Sequence, residues 1–117
     1  YAKSLKKYFM GLKIINCISD KNYQIRVWIN GIGPECDDFD EIICWFFDFA
    51  DPILSKYKEF GITNKQYDLL MDFYKKFREF SGNNYWPPEF IDGLEWKKIM
   101  DEAKTVLEAF HYKKDSK

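Results

Sequence analysis

The sequence predicts an all-α fold, a compact single-domain bundle of five or six helices that spans residues 1–117. Apolar residues recur every three or four positions along most of the chain, which is the spacing of a helix with one buried face. Capping and turn residues separate these stretches. At 117 residues, with 46% hydrophobic and 32% charged side chains, the chain suits one core under a polar surface.

The first predicted helix begins near Ser4, a candidate N-cap, and ends at Ser19-Asp20, where Asp20 can cap the next element. Its apolar positions are Leu5, Tyr8, Phe9, Leu12, Ile15 and Ile18. Residues 21–30 fit a strand or a helix, because their apolar residues both alternate and share a helical face. We favour a helix, since no second strand is evident to pair with this segment and Gly31 suits a helix end.

Residues 35–51 combine the densest apolar run with the densest run of carboxylates. In a helix, one face of this stretch is apolar and consists of Phe39, Ile42, Phe46, Phe49 and Ala50. The opposite, acidic face consists of Asp37, Asp40, Glu41, Asp48 and Asp51. Cys44 lies midway along the acidic face, and Trp45 and Phe47 border it. We therefore expect this helix to hold the core on one side and to present acidic groups on the other.

Capping signals predict the boundaries of the central helix and of its successor. Asp37 or Asp38 can cap the central helix, whose early carboxylates also suit the helix dipole. The Asp51-Pro52 pair predicts a new short helix, with the proline at its first position, that ends before Gly61.

Two capping boxes predict the remaining helices. Thr63 and Gln66 form the first box, and the apolar face that follows consists of Tyr67, Leu70, Met71, Tyr74 and Phe77. This helix should end near residues 81–82, with a loop over residues 81–88. Asp92 and Glu95 form the second box, before a stripe of Trp96, Ile99, Met100, Ala103, Leu107 and Phe110. Residues 111–117 are predicted to be a frayed tail.

The net charge of −1 conceals an uneven distribution. Residues 1–34 carry a net charge of +5, residues 35–51 carry −7, and residues 52–117 carry +1. Nucleic acid would be repelled by the middle block, so we expect no direct nucleic-acid binding, and the block instead suits a basic protein. No apolar run approaches the length of a transmembrane helix and nothing resembles a signal peptide, so we expect no membrane association.

Residue types that carry chemistry are sparse in this chain. The three cysteines lack the paired spacing of a zinc site or a disulfide framework, which predicts buried free thiols in a cytoplasmic protein. A nucleophilic cysteine needs a basic partner, but His111 is the only histidine. Asp37, Asp38 and Glu41 match a DDxxE magnesium motif without the second carboxylate cluster that such sites need. We therefore predict no catalytic residues, no metal and no cofactor, and a protein that is not an enzyme.

Four segments resemble small bacterial immunity proteins. They are YQIRVWINGIGPECDDF at residues 23–39, GITNKQY at 61–67, WPPEFID at 86–92 and EWKKI at 95–99. Together they are similar to the immunity proteins of contact-dependent growth inhibition and related polymorphic toxin systems. The resemblance implies a cytoplasmic protein that binds one cognate toxin domain, often a nuclease, and blocks it in the producing cell. It assigns no interface residues.

The charge pattern and the resemblance together give a functional hypothesis. A nuclease domain tends to carry a basic cleft, which an acidic helix can occupy. We expect the cognate toxin C-terminal domain to contact Asp37, Asp40, Glu41, Asp48, Asp51 and Trp45. Two other hypotheses stay open. The chain could be a helical adaptor or regulatory subunit for a basic protein that is not a toxin. It could also be a small hydrolase with a metal at the DDxxE motif.

Overall fold

The fold is taken from a computed structural model that describes the backbone of residues 2–35, 37–84 and 86–112, and the side chains of these ranges from Met10 onward. This part of the chain contains α-helices, one π-helix and no strand, which confirms the predicted all-α bundle. In chain order the elements are α1 (Ala2–Ser19), α2 (Lys21–Tyr23), the π-helix (Gln24–Ile29), α3 (Phe39–Ser55), α4 (Asn64–Asn83), α5 (Pro87–Phe90) and α6 (Leu94–Ala109). The radius of gyration is 14.0 Å.

The four long helices pack in a ring. Helix α1 packs against α3 and α6, and α4 packs against the same two helices. The predicted apolar face of α3 is buried throughout and consists of Phe39, Ile42, Phe46, Phe49 and Ala50. Because this face is enclosed by α1 and α4, the opposite face of α3 is held outward, which positions the candidate site.

Aromatic rings join α3 to α4. The Phe46 ring meets Phe73 and Phe77 of α4 edge to face, with ring centroids 5.4 and 5.3 Å apart. This geometry brings the positive edge of one ring to the negative face of another, which adds to the stabilisation from burial. The sequence analysis placed Phe77 in the core but omitted Phe73 and Phe80, both of which are buried.

Residues 21–30 are helical, so the strand alternative is wrong. Asp20 caps α2 as predicted, accepting a hydrogen bond from the Tyr23 backbone N–H at 3.1 Å. The π-helix then brings Gln24 into the core with no exposed surface. Gly31 follows at φ 63°, a left-handed conformation that glycine adopts without strain.

The buried amide of Gln24 links three elements. Its Nε2 donates to the carbonyls of Cys17 and Ile18 at 3.0 and 2.8 Å, and its Oε1 accepts from Trp96 Nε1 at 2.9 Å. A buried polar group without partners costs roughly 1–3 kcal/mol. Gln24 avoids this cost while fixing the end of α1 and the π-helix to α6.

The prediction that a new helix begins at Asp51-Pro52 is wrong, because α3 continues through Pro52 to Ser55. A proline inside a helix removes one backbone hydrogen bond and costs about 3 kcal/mol. Ile53 and Leu54 are both buried, and each buried side chain of this kind contributes roughly 1.5–3 kcal/mol. Their burial offsets the proline. Turns over residues 56–61 stand in place of the predicted short helix, and Gly61 has a φ of 71°.

Two predictions of where helices begin are also wrong. Helix α1 begins at Ala2, so Ser4 lies inside it, and the predicted core positions Leu5, Tyr8 and Phe9 fall outside the described side chains. Helix α6 is capped by Gly93 and lacks the predicted capping box. Asp92 instead pairs with Lys21, with Nζ and Oδ1 2.6 Å apart.

The remaining boundaries agree more closely with the sequence analysis. The Thr63–Gln66 capping box is present, with both of its hydrogen bonds formed. Helix α4 runs on to Asn83, so the predicted loop over residues 81–88 is shorter, and it also contains the start of α5. The predicted stripe of α6 is buried. Residues 113–117 of the predicted frayed tail lie outside the described residues.

Candidate protein-binding surface

The exposed side of α3 carries three carboxylates that face solvent and form no described side-chain hydrogen bond, Asp40, Glu41 and Asp48. The helix is capped by Asp38, whose Oδ1 accepts from the Glu41 backbone N–H at 2.9 Å. Asp40 and Glu41 lie in the first turn, where the helix dipole favours negative charge. Asp48 lies in the second half of the helix and has no such support. We call these three residues the α3 acidic face.

The other two predicted carboxylates, Asp37 and Asp51, lie near the two ends of α3, and each accepts a hydrogen bond from a tyrosine. Tyr23 Oη donates to Asp37 Oδ2 at 2.5 Å, and Asp37 is half-buried just before the helix. Tyr74 Oη of α4 donates to Asp51 Oδ1 at 2.6 Å. Asp51 is exposed as well, so the predicted set divides into three exposed acids without a described side-chain partner and two hydrogen-bonded ones.

Among the described side chains, no basic group forms an ion pair with the carboxylates of this helix. Within the described side chains, no ion pair involves Asp37, Asp38 or a residue of α3. Asp48 and Asp51 are three positions apart on α3, and close like charges on a helix destabilise it by a few tenths of a kcal/mol per pair, roughly 0.2–0.5. The face therefore keeps a concentrated negative charge at some cost in stability.

The two aromatic residues that border the acidic face differ in exposure. Phe47 packs against Tyr74 and Phe77 of α4, with ring centroids 5.0 and 5.9 Å apart, so it belongs to the helix packing. Trp45, on the opposite border, is 40% exposed. Of these two aromatic residues, only Trp45, the one predicted to contact a partner, offers a large exposed surface.

A groove of about 390 Å³ lies beside Trp45, between α1 and α3. Its apolar walls consist of Met10, Ile14, Ile42, Trp45 and Phe49. Gly11 and Cys17 also line it, and Lys13, Asp37 and Asp48 are its charged residues. The groove was not predicted, because the apolar positions assigned to the first helix included neither Met10 nor Ile14.

Gly11 is the sequence signal that could have revealed the groove. A Cβ atom on Gly11 would lie 1.8 Å from the Phe49 ring, so only glycine permits this approach of α1 to α3. A glycine inside an otherwise apolar helical stripe indicates such a close contact.

Cys17, at the groove, is part of a polar chain with Tyr23 and Asp37. Burial raises the pKa of the Cys17 thiol to about 11; the Tyr23 hydrogen bond has a smaller effect that lowers it, and the nearby carboxylates raise it further. Burial and the hydrogen bond to Asp37 raise the pKa of Tyr23 as well. Both groups therefore stay protonated at neutral pH. Cys17 lacks the lowered pKa of a catalytic thiol.

The described thiols and carboxylates do not converge into a catalytic or metal-binding site. Cys17 and Cys44 are free thiols, but Cys44 is exposed, so the prediction that the thiols are buried is wrong for that residue, and Cys36 lies outside the described residues. Across the described part of the chain, no three His, Cys, Asp or Glu residues converge as metal ligands would. The DDxxE residues instead act separately, with Asp37 bound to Tyr23 and Asp38 capping α3.

Helices of the described residues are all too short or too polar to cross a membrane. Comparison with known proteins adds no relative: no family model, curated protein or solved structure matches this chain.

Proposed function

We propose that this protein is a cytoplasmic immunity protein that binds and neutralises a cognate toxin domain, a basic nuclease, through the α3 acidic face. One observation carries the proposal: Asp40, Glu41 and Asp48 are exposed together on a helix whose carboxylates form no ion pair within the described side chains. The resemblance of residues 23–39, 61–67, 86–92 and 95–99 to immunity proteins supports the same function.

Electrostatics give the acidic face its role. The carboxylates of α3, which form no ion pair within the described side chains, repel one another in the free protein, and a basic partner would supply counter-charges. Complementary charge also steers two proteins together and raises their association rate. Trp45 lies at the border of this face, and tryptophan is among the residues that contribute most to binding energy at interfaces.

Neutralisation would follow from occupation of the cleft. A nuclease binds the phosphate backbone with basic side chains, and an acidic helix placed in that cleft competes for the same charges. The −7 charge of residues 35–51 also keeps the immunity protein itself away from nucleic acid. The protein acts by binding alone and needs no catalytic group, metal or cofactor.

Growth rescue tests this function. The chain is co-expressed with the toxin domain encoded by the adjacent gene, and we expect it to restore growth. A variant carrying D40K, E41K and D48K should fail to rescue and should bind the domain at least about tenfold more weakly, a loss of about 1.4 kcal/mol or more. Asp37 and Asp51 are left intact because their hydrogen bonds support the fold.

A matched control separates local from overall charge. The variant with D68K, E79K and E108K changes the net charge equally, at exposed positions of α4 and α6 that form no described ion pair. It should rescue growth. Equal failure of both variants, with both folded, would contradict the proposed surface. Tight binding to an adjacent basic protein that is not toxic would instead favour an adaptor or regulatory subunit.

A further inference from the structure

The groove between α1 and α3 is flanked by two of the large apolar side chains that the fold leaves exposed. Met10 is 52% exposed and Trp45 is 40% exposed, and both line the groove. Its volume of about 390 Å³ is within the range of roughly 300–1,000 Å³ typical of ligand pockets. The groove is therefore large enough to receive a side chain from another molecule.

The floor of the groove is part of the packed core. Gly11 rests against the Phe49 ring, and Ile42 and Phe49 are fully buried members of the core. A preformed pocket loses little conformational entropy when it is filled, which favours binding.

The charges around the groove select its occupant. Asp37 and Asp48 line it from the α3 side, whereas Lys13 is the basic residue among its described lining. In a dimer with a two-fold axis the same patch of both copies would meet, so the excess of carboxylates at the groove would face itself. An apolar side chain flanked by basic residues would fit the apolar floor of the groove and would complement the charges of Asp37 and Asp48.

We propose that the α1–α3 groove is the anchor pocket for one apolar side chain of the toxin domain, which presents it between lysine or arginine residues. This inference rests on the proposed function and deepens it, because it names the apolar contact beside the α3 acidic face. Interfaces commonly combine one buried anchor with a charged surround.

Peptide titration followed by NMR tests the pocket without the toxin. The probe is a capped pentapeptide with leucine between two pairs of lysines. It should shift the amide signals of Met10 and Ile14 and the indole signal of Trp45, with a dissociation constant on the order of 1 mM. A serine-centred lysine peptide should bind about tenfold more weakly, because it buries no apolar side chain. A leucine-centred glutamate peptide should not bind.

Three outcomes of the titration would overturn the proposal. The serine-centred peptide could bind as well as the leucine-centred one, the glutamate peptide could bind, or the shifts could fall outside the groove. Groove signals that shift with protein concentration alone would also overturn it, because they would identify a second copy as the occupant.

Uncharged substitutions test the pocket in the complex with the toxin domain. I14W fills the groove and should weaken binding about tenfold, whereas L94W changes another exposed apolar residue and should have no effect. W45A gives a second test, because Trp45 is exposed enough to be replaced without loss of the fold. If neither I14W nor W45A weakens binding while the triple lysine variant does, the pocket is wrong and the proposed function stands. If the domain does not bind the wild-type chain, the proposed function is wrong, and the peptide titration still decides the pocket.

Discussion

The contact between α4 and α6 and the contact between α1 and α3 differ in how their charges are arranged. At α4–α6, Lys76 Nζ of α4 lies 2.7 Å from Glu102 Oε2 of α6 and 3.1 Å from Asp72 Oδ2 of its own helix, and a third pair joins Lys97 to Asp101 within α6. Hydrogen bonding to these acids raises the pKa of Lys76, and Lys76 lowers that of Asp72. At α1–α3, no described ion pair involves the carboxylates of α3, and an apolar groove lies open.

This difference separates a surface adapted to water from one adapted to a partner. Exposed ion pairs contribute little each, about 0–1 kcal/mol, but they reduce the excess charge of the acids that they join. The α3 acidic face keeps its excess and lies beside exposed apolar side chains, which is the composition of a binding site. Two questions follow from this difference. One is whether the two contacts share one core, and the other is whether their charges have opposite effects on the free energy of unfolding.

The largest expected effect comes from Phe77, which joins the two contacts. It lies on α4 and is fully buried against Phe46 of α3. F77A should lower the free energy of unfolding by about 3–5 kcal/mol. Urea unfolding followed by circular dichroism and by tryptophan fluorescence should still give one coincident transition. Separate transitions in the wild-type chain would show that the two contacts belong to independent units.

Gln24 should give the next largest effect. Q24L removes the partners of two buried carbonyls and of Trp96 Nε1, so it should lower the free energy of unfolding by about 1–3 kcal/mol. N22L, at an exposed neighbouring position, should have little effect in the same urea titration. Equal stability of Q24L and wild type would mean that this buried network contributes nothing net.

Cys17 should make stability depend on alkaline pH. Its pKa is raised from 9.0 to about 11 in the folded protein, so its contribution is complete below pH 9 and is lost as pH rises towards 11. The stability difference between wild type and C17A should therefore shrink by about 1 kcal/mol over that interval, a value reduced for the partial exposure of Cys17. Urea unfolding at pH 8 and pH 10.5 measures it. A difference that stays constant would contradict the raised pKa.

The smallest expected effects have opposite signs at the two contacts. D48N relieves repulsion on α3 and should raise the free energy of unfolding by a few tenths of a kcal/mol, roughly 0.2–0.5. K76Q breaks the pairs with Asp72 and Glu102 and should lower it by about 0.2–1 kcal/mol. Thermal unfolding of both variants in one low-salt buffer measures the comparison. Destabilisation by D48N would mean that its carboxylate is compensated in the free protein.

Local patterns predicted the helices well where capping and apolar spacing agreed. Helix α3 shows this best, because its buried residues recur at helical spacing and Asp38 caps it. The Asp51-Pro52 signal failed because the burial of Ile53 and Leu54 outweighed the proline. Helix propensity depends on residues that are neighbours in the sequence. The burial that overrides it depends on contacts with helices that are distant in the chain.

The candidate site could be predicted only in part for the same reason. The exposure of Asp40, Glu41 and Asp48 follows from helical spacing. The hydrogen bonds of Asp37 and Asp51 could not be foreseen, because Tyr23 and Tyr74 reach them from other helices. The groove also depends on how closely α1 approaches α3, which Gly11 permits but spacing alone does not reveal.

The salt dependence of toxin binding tests most directly whether the α3 acidic face is the interface. The association rate constant of the adjacent-gene toxin domain is measured at about 50 and 500 mM salt, where electrostatic screening is weak and strong. We expect a steep fall with salt for wild type and for the D68K, E79K and E108K variant, and a slower, nearly salt-independent rate for the D40K, E41K and D48K variant. The same salt dependence in all three proteins would contradict an interface at the α3 acidic face.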